Sequence, residues 1–471
     1  MNNLKENEFL GTEPIGRLLV KLSAPTVAAQ LINMLYNLAD RIFIGRIPEV
    51  GSLAFTGVGV CMPLIMLVSA FAALISSGGA PRASIFMGKG DYKSAERIMG
   101  NCFCLQLIVS AILTAALLLF CEPLLMAFGA SEDTIGYAVE YMRIYACGTL
   151  FVELTLGMNS YITAQGFSRV GMYTVLIGAA LNIILDPIFI FVFGMGVRGA
   201  ALATVISQGV SCLWVVLFLC GKRTVLRLNR SALGLSPSTL APCIALGSAT
   251  FIMQASESVI SICFNSSLQG YGGDVAVGAM TILTSVMQFA LLPLQGLAMG
   301  AQPIISYSYG ARKADRVKGI FRLLLAVSLI YSFILWAAVM LFPTAFASLF
   351  ATDAAYVEFA ARALRIYCAV LCIFGAQVAC QMTFVSLGKA LSSVTVAVMR
   401  KFVLLLPLIY IMPTVFSSDK TTAVYAAEPI ADVLAVTFTV VLFAFQFKKA
   451  MVSISAPRNR ENDNNNLQNR M

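Results

Sequence analysis

The chain has 471 residues, 59% of them hydrophobic and only 12% charged, with a formal net charge of +9 and a mean hydropathy of +0.85. Soluble domains carry about 25% charged residues, so a water-soluble fold is excluded, and runs long enough to cross a bilayer, about 20 residues, recur throughout. The basic residues are divided among separate short segments, which argues against nucleic-acid binding as the meaning of the charge.

Apolar runs between polar punctuation predict about twelve helices, with approximate cores at 17–44, 53–78, 98–120, 137–163, 170–193, 199–220, 243–268, 275–305, 320–342, 359–386, 391–413 and 423–446. Met1–Glu13 is polar and leads directly into the first span, so no cleavable signal peptide is expected. In that span, "LINMLYNLADRIFIG" places Gln30, Asn33, Asn37 and Asp40 on one helical face with Tyr36 alongside. A carboxylate within a spanning helix costs roughly 2.5–3.5 kcal/mol. The stripe therefore predicts a face turned to other helices or to water, and a lone acid reaching for the membrane surface is the plainer alternative.

The fifth span contains "LNIILDPIF". Asn182 and Asp186 share a face, and Pro187 frees the carbonyl of Ile183. Spare oxygens beside a carboxylate suit a small hard cation or a proton, unless the proline is an ordinary kink. Thr204, Gln208 and Ser211 form a face of the sixth span, although hydroxyls in membrane helices also bond their own backbone. Gly221–Thr239 reads as a basic linker. In the seventh span, "MQASESVISICFN" sets Gln254, Glu257, Ser258, Ser261 and Asn265 in a polar stripe, with Glu257 the candidate to meet a cationic substrate or a second ion. Arg400–Lys401 and Glu428/Asp432 fall in the last two spans and are expected to pair with one another.

Alternate connections are rich in Lys and Arg: Lys89, Lys93 and Arg97; Arg169; Lys222 to Arg230; Arg312 to Lys318; and the tail from Lys448. The positive-inside rule then places both termini in the cytoplasm, with the chain a multi-pass protein of the inner (cytoplasmic) membrane. "RIY" at Arg143–Tyr145 returns at Arg365–Tyr367, and the same offset of 222 carries Pro81 onto Pro303, Gly88 onto Gly310 and Gly166 onto Gly388. The fold class expected is thus an all-α polytopic membrane protein, two pseudo-symmetric six-helix lobes around a central cleft. The lobes are 1–220 and 240–447, joined by 221–239, with 448–471 a polar, disordered tail.

No enzyme is indicated. Histidine is absent, which removes the commonest metal ligand and proton shuttle. There is no GxxxxGK[ST] and no nucleophile elbow. The twelve cysteines lie mostly inside apolar spans without a CxxC and read as small buried hydrophobes. An ion gradient is the natural power source.

"YNLADRIFIG", "GGAPRASIFMGKGDYKSAE", "LNIILDP", "GVRGAALATVISQ" and "RKFVLLLPLIYIMP" followed by "AEPIADVL" together resemble the multidrug and toxin extrusion (MATE) transporters, most closely the bacterial MepA-like, DinF-related branch, from about Pro14 to Phe447. The resemblance implies alternating access and export of drugs or toxins, mainly organic cations, against entering Na⁺ or H⁺, with no cofactor and no nucleic acid. It implies a coupling-ion site at Asp40, Asn182, Asp186 and Thr204, with Asn159 matching a fourth-helix Asn, and Na⁺ as a possible occupant. Tyr36, Asn33, Asn37, Gln254, Glu257 and Ser261 are the candidate substrate contacts, Pro187 the hinge, and a monomer in membrane lipid the expected state. The tenth span lacks the family's further Asp and offers Arg365, Gln377 and Gln381. A lipid-linked precursor flippase and, less so, a channel are the rival readings.

Overall fold

The computed structural model describes residues 9–48, 50–350, 353–416 and 419–455; these are helical, with no strand among them. The spans are α1 (Ile15–Gly45), α2 (Gly51–Gly88), α3 (Tyr92–Leu119), α4 (Ile135–Cys147 with Thr149–Ala164), α5 (Ser168–Pro187, continued by a π-turn Ile188–Val192), α6 (Val197–Cys220), α7 (237–272), α8 (274–310), α9 (Ala314–Leu341), α10 (Ala354–Tyr367 with Phe374–Ser386), α11 (Ala390–Val398, a π-segment Met399–Leu405, and Leu406–Val415) and α12 (Lys420–Ser455). α7 and α8 form one continuous stretch of 74 residues. Run straight, it would reach about 110 Å, far more than a bilayer needs. Instead the chain reverses at Gly273, whose φ of 62° favours glycine.

Aspartates start three helices by accepting a backbone N–H: Asp91 from Ser94, Asp353 from Tyr356 and Asp419 from Thr422. The 222-residue repeat is visible in the bonds. Ser84 Oγ donates to the Ala164 carbonyl at 2.8 Å, and Ser306 Oγ donates to that of Ser386 at 2.9 Å. The turns that follow both pass through glycine at positive φ, Gly166 at 89° and Gly388 at 69°.

Buried apolar side chains gather into three main cores. One lies at the end of the molecule carrying the basic connections and is shared by both lobes, through Leu19, Met99 and Ile162 on one side and Leu240, Ile304 and Leu324 on the other. At the opposite end each lobe has its own: Ile44, Val58 and Leu125 in the first, Phe264, Leu283 and Val424 in the second. The lobes are therefore joined at the basic end and separate at the other, leaving a cleft between them. α1 is bonded to α8 across the join, with Thr26 Oγ1 donating to the Gly296 carbonyl at 2.6 Å and Ser23 Oγ to that of Leu297 at 3.1 Å.

Segment 221–236 is an ordered strap on the first lobe. The side-chain oxygen of Gln165 accepts from Thr224 Oγ1 and from the N–H groups of Val225 and Leu226, at 2.8–2.9 Å. α7 begins at Pro237, so the strap is slightly shorter than the expected 221–239. The expected polar tail also begins later. α12 runs to Ser455 because Ala450, Met451 and Ile454 are buried and Arg312 donates to the Ser453 and Ile454 carbonyls. Residues 456–471 lie outside the described residues.

α2 and α8 approach backbone to backbone. A Cβ on Gly88 would strike the Tyr307 carbonyl, and one on Gly310 that of Ile85, the same contact seen from either lobe. Overpacking such a site costs about 1–3 kcal/mol. Gly88→Val should accordingly lower the thermal-unfolding midpoint of the purified protein; an unchanged midpoint would show that the close approach is dispensable.

Candidate ion and substrate sites

Asp40 on α1, Asn182 and Asp186 on α5 and Thr204 on α6 converge in the first lobe, toward the end where the cleft is open. All four are buried, Asp186 completely. Asn182 Nδ2 lies 3.3 Å from both Asp186 Oδ1 and Thr204 Oγ1. The Asp40 and Asp186 carboxyl groups are close neighbours, and Tyr36 and Tyr141 stand close to them. Asp40 Oδ1, Asn182 Oδ1 and Asp186 Oδ2 have no partner. No ion pair reaches either aspartate among the described residues, and Arg41, next in sequence, is exposed.

Two buried carboxyl groups side by side require a compensating positive charge. Every donor atom aimed into the cluster is a hard oxygen, which suits a proton or a small hard cation and not a soft metal. A cavity of about 50 Å³ lined by Asn33, Tyr36, Asn182, Thr204 and Gln208 opens beside the cluster; it has room for a few waters or a small ion. Pro187 ends the regular part of α5, and the chain continues as a π-turn, a feature that often accompanies functional sites.

The other expected contacts are distributed as follows. Tyr36 is half-buried, whereas Asn33 and Asn37 are exposed on α1, with Asn37 Nδ2 donating to the Asn33 carbonyl at 2.7 Å. Gln254, Glu257 and Ser261 are exposed along one face of α7. Asn159 stands apart. Its Nδ2 lies 3.3 Å from the Gly171 carbonyl, which is about 16 Å along α5 from Asn182.

The second lobe holds a different electrostatic arrangement. Arg400 donates to Asp432 at 2.8 Å and to Glu428 at 3.2 Å, and its guanidinium lies 4.8 Å from the centre of the Phe374 ring. Lys401 Nζ donates to Glu257 Oε1 at 2.6 Å. Both bases sit on the π-segment of α11. The expected mutual pairing holds for Arg400, but Lys401 reaches across to Glu257, the residue expected to receive substrate.

Sequence reasoning passed over Glu153 and Tyr141. Glu153 on α4 is fully buried and neither of its oxygens has a partner. It carries the signal that singled out Asp40, an acid inside an apolar run, but lacks a long polar stripe around it.

Comparison with known proteins gives a family model, described as MatE, that matches residues 25–188 and again 249–411, once in each lobe. The multidrug export protein MepA of Staphylococcus saprophyticus is 24% identical over 398 residues, 84% of this chain and 87% of that one. MepA of Staphylococcus aureus is 24% identical over 408 residues, 87% and 89%. A solved structure of a MATE protein in the bent conformation superimposes with a TM-score of 0.89 at 23% identity, covering 96% of this chain and 99% of that one. An outward-facing multidrug resistance MATE transporter does so with 0.87, also at 23% identity and with the same coverage.

The Glu257–Lys401 pair makes an asymmetric prediction. The Glu257 side chain is 56% exposed and that of Lys401 only 4%. Removing the acid strands a buried cation, a loss of about 3–5 kcal/mol, while removing the base leaves a carboxylate that water can reach. Glu257→Gln should thus lower the unfolding midpoint further than Lys401→Met, and the double variant should recover part of the loss. Equal effects of the two single changes would contradict the pairing.

Proposed function

The chain belongs to the MatE family of transporters, and from that premise we propose that it exports lipophilic organic cations from the cell by alternating access, coupled to entry of Na⁺ or H⁺. The observation that carries this reading is the uncompensated carboxyl pair, Asp40 and Asp186, in a chain that has no nucleotide-binding motif. The basic connections face the cytoplasm in this reading, with both termini on that side of the inner membrane. The lobes are closed at the basic end, so the cleft faces outward and the cluster stands on the side from which the ion enters.

Ion entry neutralises the pair, letting α5 repack around its proline and π-turn. An ion shifts the balance between outward and inward states only by binding one of them more tightly. The cluster draws on α1, α5 and α6, so relative movement of these helices changes its affinity. Substrate meets the polar faces of α1 and α7, where Asn33, Tyr36, Asn37, Gln254, Glu257 and Ser261 are arrayed. A cation that binds Glu257 must compete with Lys401, which restricts entry to ligands able to replace an ammonium group. The relatives' name, multidrug export protein, agrees with the breadth this arrangement permits.

A lipid-linked precursor flippase would need unneutralised cations in the cleft to hold a pyrophosphate. Arg400 and Lys401 are each engaged by carboxylates, three acids against two bases, which disfavours that reading.

Asp40→Asn and Asp186→Asn should each reduce energised ethidium efflux at least about tenfold at matched membrane expression, because each removes half of the pair that holds the ion. Efflux at the wild-type rate from both variants would refute ion coupling at this site. In inverted vesicles, imposed Na⁺ and pH gradients applied separately should show one of the two driving efflux; efflux that needs neither would point to a channel.

A further inference from the structure

A groove of about 610 Å³ lies outside both charged clusters, between the beginning of α9 and the end of α12. Its floor is apolar and aromatic. Phe321 and Phe447 lie 5.2 Å apart between ring centres, Phe443 stacks on both, and Met451 completes the wall. Its rim carries three cations, Lys318, Arg322 and Lys448, and no acid lines it. Lys318 makes a loose 3.7 Å pair with the fully exposed Asp315, which neutralises little. No carboxylate pairs with Arg322 or Lys448 among the described residues.

Depth and direction identify the occupant. Lys318 is about 6 Å from the start of α9 and Lys448 about 10 Å from the end of α12, both near the basic connections; with those connections in the cytoplasm, as in the proposed function, this end of the groove falls at the headgroup region. From there the groove opens onto the outward face of α12, where Val441, Phe445 and Val452 are 53%, 74% and 63% exposed. A cationic rim at headgroup depth that leads into an exposed apolar stripe has the polarity of a lipid molecule and not of a soluble anion. Basic pockets between helices on the cytoplasmic side hold acidic headgroups for this reason.

We propose that the α9–α12 groove is a binding site for an anionic phospholipid of the cytoplasmic leaflet, with Lys318, Arg322 and Lys448 holding the phosphate and its acyl chain lying along Phe447 and the α12 face. Both walls belong to the second lobe, so the site persists as the lobes move. Arg316, on the turn of α9 just before the groove, donates to the Leu10 carbonyl at 2.9 Å and ties the N-terminal segment to this lobe. A lipid seated here steadies that tie.

The test is native mass spectrometry of the full chain with phosphatidylglycerol, phosphatidylcholine of the same acyl chains, and glycerol phosphate. Wild type should retain phosphatidylglycerol at least about tenfold better than phosphatidylcholine. Each of Lys318→Gln, Arg322→Gln and Lys448→Gln should weaken retention roughly fivefold, and the triple variant should lose the preference. Lys318→Arg with Lys448→Arg should keep it, which separates loss of charge from loss of fold. The proposal is overturned if the triple variant keeps the preference, or if glycerol phosphate displaces the lipid as well as added phosphatidylglycerol does.

Discussion

Taking a carboxylate out of water requires a counter-charge to replace its lost hydration, and the two lobes meet that requirement in opposite ways. In the second lobe the counter-charges are built in: Arg400 serves the buried Glu428 and Asp432, and the buried Lys401 is itself met by the more exposed Glu257. In the first lobe Asp40 and Asp186 lie close together, each with one unpartnered oxygen and with a third on Asn182 beside them. The second arrangement is complete as a protein, whereas the first is completed only by something that arrives. The proposed coupling rests on that difference, since a site that must borrow its positive charge would change state when the charge enters and leaves.

This asymmetry is set on a symmetric scaffold. The paired serine bonds at Ser84 and Ser306, the glycine turns at Gly166 and Gly388, and the Gly88–Tyr307 and Gly310–Ile85 contacts are duplicates. The packing has the form that rocking requires: a shared core at the basic end, and a separate core in each lobe at the other. Within the shared core, Gly88 and Gly310 let the α2 and α8 backbones approach at Tyr307 and Ile85, while each separate core belongs to one lobe.

Much of this was legible in the sequence because bilayer physics writes in a strong hand. Spanning helices need long apolar runs, and orientation follows from Lys and Arg. A polar face within such a run has few meanings, and Asp40, Asn182, Asp186 and Thr204 were marked by periodicity and resemblance and are found together. Partnerships across distant helices were not legible. Lys401 and Glu257 are 144 residues apart, and nothing local shows which acid the lysine chooses. Asn159 sits on a suitable helix, but its depth depends on how α4 packs beside Gly171. The segment 221–239 read only as a basic linker because the groups that order it, Gln165, Glu96 and Asn101, are far from it in sequence.

The central claim, that an ion at the first-lobe carboxyl pair decides which end of the molecule is closed, is tested most directly by a distance across the closed end. Spin labels carried on unnatural amino acids at positions 93 and 315, both exposed and on opposite lobes, leave the native cysteines untouched. Adding Na⁺, or acidifying, should shift the balance between short and long distances in the wild-type protein and leave it unmoved in Asp40→Asn/Asp186→Asn. The same shift in both proteins would contradict the account.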